Sequence, residues 1–233
     1  MNLNVFRLCR TEYGKCWDLQ KRVFDLRASN SIDDTLLLTE HDHTYTIGKS
    51  GDDNHLLAHE GELNATGVTV FHNDRGGDIT YHGPGQIVGY PILNLENHYL
   101  DLHRYLRDLE EVVIQTLKRF DVQASRKQEY TGVWVGTEKI CAIGVKTSRW
   151  ITMHGFALNV NTDLKYFERI IPCGIFEHGV TSLQAVLKRE MNMDEVMSCL
   201  VEQFAQVFNL NVCASGNSEL MPEVLPSLLV TNS

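Results

Sequence analysis

Apolar residues recur with a helical period in three stretches of the chain. Between Asp101 and Phe120, residues Leu102, Tyr105, Leu106, Leu109, Val112, Val113, Leu117 and Phe120 mark one face, with Arg104, Arg107, Glu110, Glu111 and Lys118 elsewhere. This pattern predicts an amphipathic helix packed on a sheet, its charged residues solvated. Glu12–Leu26 predicts a second helix with a less regular face, and Glu195–Phe208 a third. Asn192 with Glu195, and Thr181 with Gln184, have capping-box spacing; the second pair predicts a short helix over Leu183–Lys188. Strand-like runs fall at residues 3–9, Asp33–Glu40, Val68–Phe71, Ile87–Leu93, Tyr130–Val135, Lys139–Lys146 and Thr152–Val160. Thr-Leu-Leu-Leu-Thr in the second run suits a central strand buried on both faces. Gly136-Thr137-Glu138 predicts a hairpin turn, and residues 49–66 a polar loop with one helical turn. Strands and helices do not alternate regularly, so a doubly wound parallel sheet is excluded. The expected fold is α+β, a two-layer domain with a mixed, largely antiparallel sheet. Residues 1–212 are expected to form one domain and 213–233 a weakly ordered tail.

One stretch fits neither period: Arg75-Gly-Gly-Asp-Ile-Thr-Tyr-His-Gly-Pro-Gly-Gln86, lying between two strand-like runs. Its four glycines and one proline disfavour a helix and most of a strand. Such backbone allows close approach of another molecule, and its N–H groups can face a carbonyl or an anion. Arg75, Thr80, Tyr81 and His82 set among the glycines favour a binding site over a plain turn.

Composition narrows the functional classes. With 233 residues, 43% hydrophobic and 22% charged, the chain can bury a sizeable core. A net charge of -9 argues against broad nucleic-acid binding. Neither a signal peptide nor an 18-residue apolar run is present, so a cytoplasmic location is expected. The six cysteines form no Cys-x-x-Cys pair, which suits free thiols in a reducing compartment. His41 and His43 alternate as on one strand face but lack an obvious third ligand, so no metal is expected.

Five cysteines lie in apolar patterns; Cys173, in Ile-Ile-Pro-Cys-Gly-Ile, lies in a loop that exposes its backbone. A nucleophilic thiol must be activated, because at a pKa of about 8.5 only a few per cent is thiolate at neutral pH. Lowering that by about two units takes roughly 2.7 kcal/mol. Lys139, opening a strand beside a hairpin turn, is one candidate for the charge, and His82 is the other. The residue pattern does not choose between them.

The glycine stretch, Lys139-Ile-Cys-Ala-Ile-Gly144, His154-Gly-Phe-Ala-Leu-Asn159, Pro172-Cys-Gly174 and Val180-Thr-Ser-Leu183 together resemble the lipoyl(octanoyl) transferase family over about residues 30–190. The resemblance implies a fold shared with biotin and lipoate ligases. It also implies octanoyl transfer from acyl carrier protein to a lysine of the lipoyl domains of 2-oxoacid dehydrogenases and of the glycine cleavage H protein, without a cofactor. Cys173 would carry the acyl thioester, and Lys139 would tune the thiol and shuttle protons. The acyl pocket would be lined by Arg75, Gly76, Gly77, Asp78, Ile79, Thr80, Tyr81 and His82, by Ala142, Ile143 and Gly144, and by Gly155, Phe156 and Ala157. The glycines are expected to clear a channel for the chain. Asp42-His43, where the family has proline after the Glu-His pair, departs from the pattern and loosens any role for the His41 loop. An ATP-dependent lipoate or biotin ligase of the same fold and a catalytically silent acyl-carrier-binding protein are the alternatives; the His-Gly-Pro-Gly-Gln continuation with Cys173 favours the transferase over the first, and Lys139 with Cys173 over the second. Acidic partners and a net negative chain lead to the further expectation that Arg75, Lys146, Arg149 and Arg169 gather at the pocket mouth, with Glu62 among the acids kept away.

Overall fold

The apolar run at the centre of the sheet is β2 (Asp34–Thr39), all of it buried. The computed structural model describes residues 1–171 and 179–213. β2 pairs in parallel with β1 (Asn2–Arg7) and antiparallel with β6 (Gln86–Ile92). β6 pairs with β9 (Ile151–Asn159), β9 with β8 (Glu138–Ser148) and β8 with β7 (Val133–Val135), all antiparallel. The two-residue β10 (Asn211–Val212) adds in parallel to β1, completing a seven-stranded mixed sheet. This is the α+β arrangement expected from the pattern.

α3 (Leu102–Lys118) buries Tyr105, Leu109, Val112, Val113 and Leu117 against the sheet and α5 (Met193–Phe208). Each such side chain contributes about 1.5–3 kcal/mol on burial. Asp101 caps α3 through Arg104 N–H, and Asn192 caps α5 through the N–H groups of Asp194 and Glu195, as its spacing predicts. α1 (Tyr13–Ala28) covers another part of the sheet with Cys16, Leu19 and Val23. Its bounds fall within two residues of the expected Glu12–Leu26, with Glu12 at the N-cap.

Four expectations need correction. The glycine stretch contains a strand, β5 (Ile79–His82), which pairs with β3 (Thr44–Ile47); β3 pairs with β4 (Thr69–His72) to make a second, three-stranded sheet. The glycines flank β5 rather than interrupt it. The polar stretch 49–66 holds a 3₁₀ turn at Asp53–His55 and a short helix, α2 (Glu60–Thr66), rather than one turn. Ser182, not Thr181, caps α4 (Leu183–Leu187), accepting from Ala185 N–H; Thr181 N–H instead bonds the Lys139 carbonyl. Glu110, expected to be solvated on α3, is fully buried. Among the remaining cysteines, Cys16 and Cys141 are core residues, whereas Cys9 is exposed. No helix among the described residues is long and apolar enough to cross a membrane. The expected tail lies, apart from Cys213, outside the described residues.

Candidate active site

Two strand triplets face each other across one ladder: Ala142 opposite Ala157, Ile143 opposite Phe156 and Gly144 opposite Gly155. The Arg75–Gly77 turn lies over this ladder, with Gly76 N–H bonded to the Val145 carbonyl at 2.9 Å. Residues 48–50 hold the turn from its other side, their N–H groups bonding the carbonyls of Asp78, Arg75 and Gly77. Together these segments enclose a cavity of about 460 Å³.

Arg75, Gly76, Gly77, Asp78, Ile79, Thr80, His82, Lys139, Ala142, Ile143, Gly144, Gly155, Phe156 and Ala157 all line it. Tyr81 does not: it packs in the aromatic cluster of the small sheet, stacked on Tyr166 and bonded to His43 Nδ1 at 2.7 Å. Cys173 lies outside the described residues. Its described flanks are anchored at the cavity. Ile171 N–H bonds the His55 carbonyl, and the His55 ring bonds the lining residue Asp78 at 2.6 Å. Beyond Cys173, Gly179 and Val180 line the cavity, and the Gly179 carbonyl accepts the Lys139 N–H at 2.9 Å.

Several glycines serve the protein's own packing rather than a channel. At Gly144 a Cβ would stand 2.7 Å from the Gly76 carbonyl oxygen, and at Gly48 one would stand 2.8 Å from Arg75 Nη1. Gly89 leaves room for the Phe156 ring. These close approaches seat the Arg75 turn and the aromatic wall.

Arg75 is a buried strut. Its Nη2 donates to the Thr46 carbonyl at 2.6 Å and its Nη1 to the Gly76 carbonyl at 3.1 Å. Lys146 pairs with Asp74, and Arg169 pairs with Glu62 at 2.6 Å. The expected patch therefore fails in three of its four members: one cation is buried and two are each paired with an acid, one of them Glu62 itself.

His82 is fixed by Gln86. The Gln86 amide nitrogen donates to the Tyr81 carbonyl and to Asn159 Oδ1, so its oxygen faces His82 Nδ1 at 2.9 Å. Nδ1 therefore carries the proton, leaving Nε2 to accept from the Thr46 hydroxyl at 3.3 Å. Burial, with His41 and Arg75 nearby, pushes the ring pKa down to about 3. A neutral His82 supplies no positive charge to a thiol. The Lys139 ammonium lies 4.9 Å from the centre of the Trp134 ring.

His41 is likewise a packed interior ring, bonded to the Thr11 carbonyl and, at 2.6 Å, to the Tyr90 hydroxyl. His41 and His43 turn to different partners, and among the described residues no group of three ligating side chains gathers.

The pattern alone missed Tyr13, Tyr90, Trp134 and His154 as cavity residues. Tyr13 read as helix-core, and it stacks on His82 with ring centres 5.7 Å apart. His154 stood inside a quoted motif, one position before Gly155, and its left-handed backbone (φ +60) in mid-strand was not readable. Its Nε2–H donates to Asp74 at 2.7 Å, and burial lowers its pKa to about 4 despite that carboxylate.

Fold and cavity define a class, and the comparisons name it: residues 12–205 match the lipoyl protein ligase A/B catalytic domain. A bi-partite lipoate protein ligase from Thermoplasma acidophilum superposes with a TM-score of 0.72 at 16% identity, covering 98% of this chain and 92% of that one. Among curated relatives, the octanoyltransferase of Christiangramia forsetii is 51% identical, with 84% of this chain and 92% of its own length covered. That of Rubrobacter xylanophilus is 53% identical, covering 84% and 89%. The chain belongs to the octanoyltransferase family.

Proposed function

We propose that this octanoyltransferase moves an octanoyl group from acyl carrier protein to a lysine of lipoyl domains through a thioester on Cys173. Lys139 carries the reading: it opens into the cavity, and its backbone is bonded to the segment that follows Cys173. The Cys173 thiolate attacks the carrier thioester carbonyl; the carbon–sulfur bond to the carrier breaks, and the carrier thiolate leaves with a proton given by the Lys139 ammonium, which becomes the neutral amine. The acceptor lysine amine then attacks the acyl-cysteine, expels the thiolate and passes its surplus proton to Lys139 as the amide forms. Thioester exchange is nearly isoenergetic and amide formation drives the cycle, so no nucleotide is needed. Seven or so methylene-type groups, each worth about 0.8 kcal/mol, hold the chain. The cavity wall of Ile79, Ile143, Val145 and Phe156 supplies the apolar surface for them. Closing the cavity to water protects the thioester.

The catalytic unit is residues 1–212, acting as a cytoplasmic monomer; sedimentation at working concentration checks the oligomeric part. Incubation with octanoyl-acyl carrier protein should add one octanoyl mass, labile to hydroxylamine, to the wild type and none to Cys173→Ser. An adduct that persists at another cysteine would sink the assignment. Lys139→Met should raise the pH at which Cys173 is half-alkylated by iodoacetamide and lower kcat by tenfold or more. Octanoate with ATP should not replace the carrier substrate, as it would for a ligase.

A further inference from the structure

The buried carboxylate of Glu110 reaches the cavity through the backbone of another segment. Its Oε1 accepts the Gly132 N–H at 3.0 Å; its Oε2 accepts from Arg107 Nη1 at 2.7 Å and lies 3.2 Å from Arg126 Nε. Arg126 also donates to the Arg107 carbonyl at 3.1 Å and pairs with Glu111. The loop that these contacts hold is closed at its ends, where Ser125 and Trp134 exchange backbone hydrogen bonds of 2.9 and 2.8 Å. It is a compact loop pinned from within rather than a loose connection.

This loop supplies Glu129, Tyr130, Thr131 and Trp134 to the cavity wall, facing Leu102 and Leu106 of α3. It also meets Lys139. Gly132 has a left-handed φ of +133, and a Cβ there would stand 2.7 Å from the Cys141 carbonyl oxygen and 3.4 Å from Lys139 Cε. The Lys139 stem therefore lies close against the Gly132 backbone, with its ammonium near the Trp134 ring. A fully buried carboxylate is costly unless each oxygen is hydrogen-bonded. Here both oxygens are, and one of those bonds goes to the residue that supports Lys139.

We propose that Glu110 is a positioning residue: it clamps the loop Ser125–Trp134 as the wall that limits acyl chain length and braces the stem of Lys139. The length limit rests on the cavity being the acyl site; the clamp does not. In Glu110→Gln the side chain keeps its shape, but its amide end must turn a donor toward either Gly132 N–H or the guanidinium pair. One side of the clamp then opens.

The test uses the full chain. By hydrogen exchange, amides of residues 125–134 in Glu110→Gln should exchange at least tenfold faster than in wild type, with β6 and β9 unchanged. The ratio of kcat/KM for dodecanoyl over octanoyl carrier thioester should rise fivefold or more, a change that general loss of stability would not produce. Unchanged loop exchange, or an unchanged chain-length ratio in the folded variant, overturns the proposal. If Glu110→Gln does not fold, Arg126→Ala keeps the Gly132 bond with Arg107 still in place. It should shift both readouts the same way by a smaller factor, and wild-type values there overturn the proposal equally. A wild type that transfers no octanoyl group fails the acyl reading, while loop exchange still decides the clamp.

Discussion

At Gly89 a methyl group would stand 2.2 Å from Phe156 Cζ, and at Gly155 one would stand 2.1 Å from the Gly89 carbonyl oxygen. Neither neighbour is free to yield, since both belong to the ladder under the cavity. Gly89→Ala and Gly155→Ala should each cost about 1–3 kcal/mol through overpacking. At about 2–4 °C per kcal/mol, that lowers Tm by roughly 2–12 °C. Gly61, on exposed α2 with nothing near its would-be Cβ, is the contrast. Gly61→Ala should hold or raise Tm, because a helical glycine costs roughly 0.5–1 kcal/mol relative to alanine. Thermal melts of the three variants check this. A glycine is visible in a sequence; whether it borders a cavity, as Gly76 and Gly77 do, or makes room for a neighbouring ring, as Gly89 does, is not.

At the scale of the element, α5 is the clearest case of a helix that its own residues specify. Asn192 accepts two first-turn N–H groups, Asp194 and Glu195 meet the positive end of the helix dipole, and Asn209 ends it in the left-handed region (φ +52). Asn192→Ala should therefore cost about 1 kcal/mol, and Asn192→Asp close to none, read from denaturant midpoints. Equal losses in both would show that the cap bond is not the source. α4 shows the limit of such reading. Thr181 had the same capping-box spacing, but its N–H is committed to Lys139, so the cap moved one residue on. The three-stranded sheet was missed for a related reason. β5 is short and flanked by glycines, and only its pairing with β3 makes it a strand.

At the scale of the molecule, three buried imidazoles with lowered pKa, among the described residues, shape the response to acid. Burial lowers His41 to about 4, His82 to about 3 and His154 to about 4, against 6.5 for an ordinary ring. Each folded-state pKa lies below its unfolded value, so the unfolded chain binds protons first. The stability these rings allow is whole above pH 6.5 and is lost as pH falls from 6.5 toward 4. The loss is about 1.4 kcal/mol per pH unit for each ring while only the unfolded form protonates. Tm should therefore fall between pH 7 and pH 5, with a shallower slope in His41→Gln. A flat Tm over that range would mean that the rings protonate inside the fold. Asp34 and Asp74, both held below the usual carboxylate range against the cost of burial, add to the loss at lower pH.

The chain's periodicity determined the long helices, the central buried strand and the mixed sheet, because period and burial are local properties repeated over many residues. Its motifs determined the family, and most motif residues stand together around one cavity. Only the tertiary structure decided which polar groups are buried and what they hold. Glu110 has the same position in its helix pattern as a solvated acid, and Arg75 looks like a free cation. Their roles as clamp and strut depend on Gly132 and Thr46, 22 and 29 residues away in the chain. Burial of a charge depends on what the fold brings against it from a distance, and no local pattern records that.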